Sequence, residues 1–155
     1  MTAEPFPPVA EVLPHRGRMV LLSRVLEHSA KHTVCAVEIG PDAPFLEPGG
    51  TVPAWIGVEY MAQCVAAHAG LRARARGEPA KIGFLIGSRR LEFRTDGFRI
   101  GQRLTALATH TWGESESASF ACRLLDSGSG ALLVEGSLSV FLPQALERFL
   151  PGVAP

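Results

Sequence analysis

The chain has 155 residues, 46% of them hydrophobic and only 19% charged, with a formal net charge of +0. That length suits one compact domain burying about two thirds of its unfolded surface, and no apolar run reaches the roughly 18 residues that span a bilayer. With no basic or acidic block there is no electrostatic footprint for nucleic acid, which calls for clustered cations against the phosphates.

Residues 1–8 read as a proline-rich lead-in without the basic and apolar regions of a secretion signal. The domain is expected over 9–142, with 143–155 as a tail made of a short helical turn and a disordered end. Met19 to Glu27 is apolar enough for a strand or a short helix. Lys31 to Gly40 is a better strand, with Thr33, Cys35, Val37 and Ile39 on one face, and the short step between the two favours a hairpin. Residues 41–53, rich in proline and glycine, form a loop.

A helix follows from Pro53 to about Arg74. Pro53 suits its first turn, Thr51 is a candidate N-cap, and Gly77 is a natural stop behind Arg72, Arg74 and Arg76. Trp55, Ile56, Val58, Met61, Cys64, Val65 and the alanines extend around most of its circumference, whereas a surface helix keeps a broad polar stripe. Gly57 and the alanines also permit close approach by neighbouring backbone. The helix therefore belongs inside the fold, wrapped by a sheet.

The remaining sequence supplies that sheet. Lys81 to Arg94 is a long strand, bulged near Gly87, and Asp96 to Gly101 is a turn. Gln102 to Trp112 places Leu104, Ala106, Ala108, His110 and Trp112 on one face. Ser117 to Leu125 and Ala131 to Leu142 alternate in the same way around a turn at Asp126 to Gly130, an antiparallel meander. The second face, with Leu107, Leu125, Leu133 and Phe141, is either another core layer or the place where two protomers meet. The low charge content also favours an oligomer. The fold class is α+β.

Several residues could carry chemistry. Glu59 stands in the apolar segment WIGVEYMAQ, where desolvation is expected to raise its proton affinity toward the range useful for acid–base work. The alternative is that it lies on an exposed edge or pairs with an arginine. Gln63, one turn later, is placed to orient Glu59 or line the same cleft. Gly49 and Gly50 are a simple turn or a source of backbone N–H groups for an anion. His15 is a candidate pocket residue. His28 and His32 read as surface, and His68 and His110 as packed side chains. Cys35, Cys64 and Cys122 are odd in number and lack metal-ligand spacing, as expected of buried free thiols in a reducing cytoplasm. No metal or cofactor site emerges.

Taken together, LPHRGRMVLLSRV (13–25), PFLEPGGTVPAWIGVEYMAQ (44–63) and FRIGQRL (98–104) resemble the beta-hydroxyacyl–acyl carrier protein dehydratases of the hot-dog superfamily. The closer match is the dehydratase-like subgroup associated with aryl polyene biosynthesis. The resemblance implies a long central helix wrapped by a curved antiparallel sheet of about five or six strands, in a homodimer or a heterodimer with a related dehydratase whose sheets become continuous. It also implies a partner, the acyl carrier protein, whose phosphopantetheine arm brings a 3-hydroxyacyl thioester to lose water. Glu59 falls on the family's helix carboxylate, Gln63 on the glutamine after it, and Pro53 on the proline at the helix start. The substrate thioester would meet Gly49, Gly50, Pro53 and the turn Ala54, Trp55 and Gly57, with Gln63 beside it. Arg72, Arg74, Arg76, Arg89 and Arg90 would dock the carrier protein. One departure stands out: the family's catalytic histidine lies in a Gly-His-Phe-Pro-Gly loop, and PFLEPGG has none. His15, or a histidine from the opposite subunit, is the expected substitute. A partner subunit lacking full activity and a thioesterase are the competing readings.

Overall fold

The structure, a computed structural model, describes residues 5–80, 82–113 and 116–143. Apart from Pro143, the expected tail falls on residues 144–155, outside the described residues. Six strands form one antiparallel sheet in the order β1-β2-β6-β7-β8-β4. They are β1 (Arg24–His28), β2 (His32–Glu38), β4 (Phe84–Phe93), β6 (Arg103–Trp112), β7 (Ser117–Asp126) and β8 (Leu132–Phe141). The hairpin β1–β2 and the meander β6–β7–β8 lie where the alternation of apolar residues puts them.

The sheet wraps a 20-residue helix, α2 (Ile56–Ala75). Small residues set how closely they meet. Ala106 and Ala108 are fully buried beneath the helix, and a Cβ added at Gly57 would lie 3.1 Å from Leu124, Phe98 and Val134 at once. Such contact distances leave no room for a larger side chain without moving the sheet. The helix ends as expected: Gly77 adopts φ +72°, its N–H bonds the Arg74 carbonyl, and the Glu78 N–H reaches back to Ala73. This pairing satisfies the last carbonyls and needs a residue tolerant of the left-handed region.

The helix start differs from expectation. Thr51 and Pro53 belong to a short strand, β3 (Thr51–Pro53), paired with β5 (Gly97–Arg99) as Thr51 with Arg99, Val52 with Phe98 and Pro53 with Gly97. The physical reason is that proline suits a strand edge as well as a helical first turn, because both dispense with its N–H. Trp55 takes the N-cap position in helical conformation without a side-chain cap. The same ribbon occupies part of the expected loop 41–53 and of the turn at 96–101.

Two further differences are local. Trp112 was expected on the core face, but a bulge between His110 and Trp112 turns it outward and leaves it 68% exposed. In β4 the bulge near Gly87 is present, and a second one lies between Arg89 and Glu92, where Arg90 has φ +54°. β4 is one free edge of the sheet, and Leu85, Ile86 and Phe93 along it are exposed. Leu107, Leu125 and Phe141 are half-buried, whereas Leu133, expected beside them on the second face, packs against the hydrophobic core next to a register shift in the β7–β8 pairing.

The N-terminal segment completes the domain. A one-turn helix, α1 (Val9–Val12), lies directly on α2. A Cβ at Gly70 would overlap the Val12 carbonyl oxygen, so only glycine permits this contact. From there the chain runs through a 3-10 turn, Gly17–Met19, into β1.

Candidate active site

The segment 13–21 brings its groups to the first half of α2. His15 Nε2 lies 3.6 Å from Glu59 Oε1, longer than a direct hydrogen bond and within ion-pair range. Gln63, fully buried one turn below, donates from Nε2 to Glu59 Oε1 at 3.1 Å and to the Met19 carbonyl at 2.7 Å. Its Oε1 accepts the Leu21 N–H at 2.9 Å. Arg16, next to His15, folds its guanidinium back onto the carbonyls of Leu13, Pro14 and His15. His15 Nδ1 is buried without a hydrogen-bond partner among the described residues.

Glu59 is half-buried, yet its carboxyl is held below the ordinary value. The His15 imidazole facing it is the largest cause; burial opposes it, and the Gln63 amide adds to it. The expected upward shift is therefore corrected in sign. Burial raises the proton affinity of a carboxylate only where donors do not outweigh it, and here two N–H-bearing groups face one oxygen.

The other expected site residues divide. Gly49 (φ +111°) and Gly50 (φ +83°) form a turn that only glycine enters freely, and the Gly50 N–H is committed to the Glu47 carbonyl. Gly57 is buried against the sheet and its N–H bonds Ala54, while the Ala54 N–H bonds Asp96. That leaves the amides of Trp55 and Ile56 at this helix start without an acceptor among the described residues. Trp55 is 64% exposed beside them. Pro53 lies in β3 with no free N–H. Gln63 was expected to touch substrate, but both its amide hydrogens are used and its side chain is inaccessible.

Of the arginines expected at a docking surface, Arg74 pairs with Glu11 at 3.5 Å, Arg76 with Glu78 at 3.3 Å, and Arg72 holds the Ala30 carbonyl. No group of three metal-ligating side chains occurs among the described residues, and the three cysteines are buried free thiols. Local sequence does not display the clamp that Gln63 and Gly70 place on the N-terminal segment. Its only local signal was Gly70, an interior helix glycine that costs about 1 kcal/mol against alanine unless another backbone needs the space.

A second cluster, built of histidines, lies farther along α2. Thr33 Oγ1 sits 2.8 Å from both His28 Nδ1 and His68 Nδ1. His68 is buried, and desolvation, with the charges of neighbouring histidines and Arg72 behind it, lowers its pKa to about 4. His110 donates or accepts nothing in this pair; its Nε2 bonds the Gly113 carbonyl, and its ring packs on Phe120.

A long helix wrapped by a curved antiparallel sheet of this strand order is the hot-dog fold. The family model of ApeP-like proteins, described as ApeP dehydratase, matches residues 7–151, and the chain belongs to that family. Among solved structures, the dehydratase heterocomplex ApeI:P from Xenorhabdus doucetiae has a chain 30% identical to this one, covering 93% of this chain and 96% of that chain with a TM-score of 0.87. More distant likenesses show the fold alone. Zebra fish thioesterase superfamily member 2 is 15% identical, covering 84% of this chain and 88% of its own, with a TM-score of 0.62. A hypothetical thioesterase from Streptococcus pneumoniae, solved with coenzyme A, is 10% identical over 77% of this chain and 84% of its own, TM-score 0.59. No curated protein matches.

Proposed function

We propose that the chain is a 3-hydroxyacyl-thioester dehydratase, acting on a substrate carried by an acyl carrier protein and releasing the trans-2-enoyl thioester and water. The observation that carries this reading is the His15–Glu59 pair, 3.6 Å apart on a hot-dog helix that lacks a histidine in the preceding loop. Elimination of water needs a group that takes the α hydrogen and a proton for the departing hydroxyl. Glu59 and His15 supply these two functions. The Trp55 and Ile56 amides, at the positive end of the α2 dipole, suit the thioester oxygen, where negative charge develops as the α hydrogen leaves.

Partnership through the sheet fits the free edge of β4, whose exposed Leu85, Ile86 and Phe93 are an uncovered apolar strand. The second reading is a subunit that completes a heterodimer with a related dehydratase. It is favoured by the loop 44–50 without histidine and by the similarity to a chain of the ApeI:P heterocomplex.

The test is incubation of the purified protein, alone and with a related dehydratase, with 3-hydroxyacyl carrier protein, followed by mass spectrometry of the carrier. Loss of one water from the protein alone supports the dehydratase. Loss of the acyl chain would make it a thioesterase, and water loss only in the mixture would make it a partner subunit.

A further inference from the structure

The tip of the β1–β2 hairpin is tied to the second half of α2 through groups that titrate. We infer that His28, Thr33 and His68 form an acid-sensitive latch, closed while both rings are neutral and released when both take up a proton. Such a latch belongs to the fold and stands whether or not the chain dehydrates.

Three contacts hold the tip. Thr33 Oγ1 lies 2.8 Å from His28 Nδ1 and 2.8 Å from His68 Nδ1, joining β1, β2 and α2 through one hydroxyl. Arg72, one turn beyond His68, donates from Nη1 to the Ala30 carbonyl in the hairpin turn at 2.9 Å. The two rings meet edge to face with centroids 5.3 Å apart, and His68 packs in the same way on Phe120. β1 is an edge strand paired only with β2 and bulged between Val25 and Glu27. Its tip can therefore part from the helix without breaking the rest of the sheet.

Acid opens the latch because of how protons fit around the hydroxyl, which has one hydrogen and two lone pairs. With both rings neutral it donates to one Nδ1 and accepts an N–H from the other. A first proton enters at Nε2 of the donating ring and leaves both bonds in place. A second must enter at the accepting Nδ1. Two N–H groups then face the hydroxyl, and its own hydrogen has no acceptor in the cluster. The rings would also carry like charges beside the Arg72 guanidinium, with His32 on β2 and His110 on β6 adding repulsion whenever they are charged. On β1 the acidic Glu27 is turned to His32, at 3.5 Å. Burial and these neighbouring charges hold both rings below the ordinary histidine value, His68 at about 4.

Native-state hydrogen exchange at low urea tests the latch on the intact protein. The Ser29 N–H bonds the His32 carbonyl and the His110 N–H bonds the Lys31 carbonyl, so both report opening of the tip. After correction for the intrinsic rate, their opening should rise about 20-fold from pH 7 to pH 5 through His68 alone, and further with His28. Because this opening is local, it should not respond to urea, whereas exchange of the amides in the β6–β7 pairing should. In the double variant His28→Asn/His68→Asn the rise should shrink to about 2-fold or less. A wild-type rise under about 10-fold overturns the latch, as does a urea dependence equal to that of the β6–β7 amides. An unchanged rise in the folded double variant overturns it equally. If that variant does not fold, the wild-type exchange decides alone.

Discussion

Two side-chain clusters lie along α2, about 14 Å apart by the nine-residue step from Glu59 to His68. At the first, His15 faces a half-exposed carboxylate, and the imidazole and the Gln63 amide favour charge there. At the second, His68 and His28 share one threonine hydroxyl, and the charges nearest them are cationic, so burial keeps His68 neutral. A single hydroxyl has one hydrogen, so it donates to one of these rings and accepts from the other, which requires opposite tautomers. The first cluster keeps a carboxylate oxygen without a partner, and the second uses its ring nitrogens to close the core. The contrast shows that the charge state a side chain favours follows from what it faces, not from its residue type.

The largest break in that contrast should come from Glu59→Gln, which keeps shape and removes the charge. Steady-state turnover of 3-hydroxyacyl carrier protein is expected to fall on the order of 1,000-fold, with the melting temperature almost unchanged. His15→Ala should cost on the order of 100-fold in kcat by the same assay.

At the sealed end the expected effect is on stability. The folded pKa of His68 is lowered from 6.5 to about 4, so the unfolded chain binds its proton first as pH falls. Stability from this group is therefore complete above pH 6.5 and lost between there and about pH 4, by on the order of 3 kcal/mol. Urea unfolding across that range measures it, and His68→Asn should flatten the dependence.

Two smaller changes sharpen the role of the N-terminal segment. Gly70→Ala puts a methyl where the Val12 carbonyl lies and should destabilise the fold by roughly 2 kcal/mol, read from denaturant midpoints. It should also lower turnover, because α1 leads directly into the segment carrying His15. Arg74→Ala removes a surface pair with Glu11 and should cost less than about 1 kcal/mol.

Much of this arrangement can be read from the sequence, for physical reasons. Strands β2, β6, β7 and β8 repeat apolar residues every second position, and α2 is apolar around most of its surface, so period and extent identify them. Gly57 likewise marks the closest approach of helix and sheet. The β3–β5 ribbon has three residues a side, too short to establish a period, and Pro53 suits a helix start as well as a strand edge. His15 and Glu59 were each singled out by residue type and neighbourhood. Their separation depends on α1 crossing α2 at Gly70 and on Gln63 binding the chain 42 and 44 residues away, which no local pattern encodes. The sign of the Glu59 shift depended on those same contacts, and hydrophobic neighbours in sequence pointed the wrong way.

The central claim is that the open end of α2 carries the reaction and the sealed end only holds the fold together. Its most direct test is a mass-spectrometric time course of 3-hydroxyacyl carrier protein with Glu59→Gln and His68→Asn side by side, at neutral pH and below both melting temperatures. Enoyl product should form with His68→Asn at near wild-type rate and hardly at all with Glu59→Gln. Equal loss in the two variants, or normal product from Glu59→Gln, would contradict it.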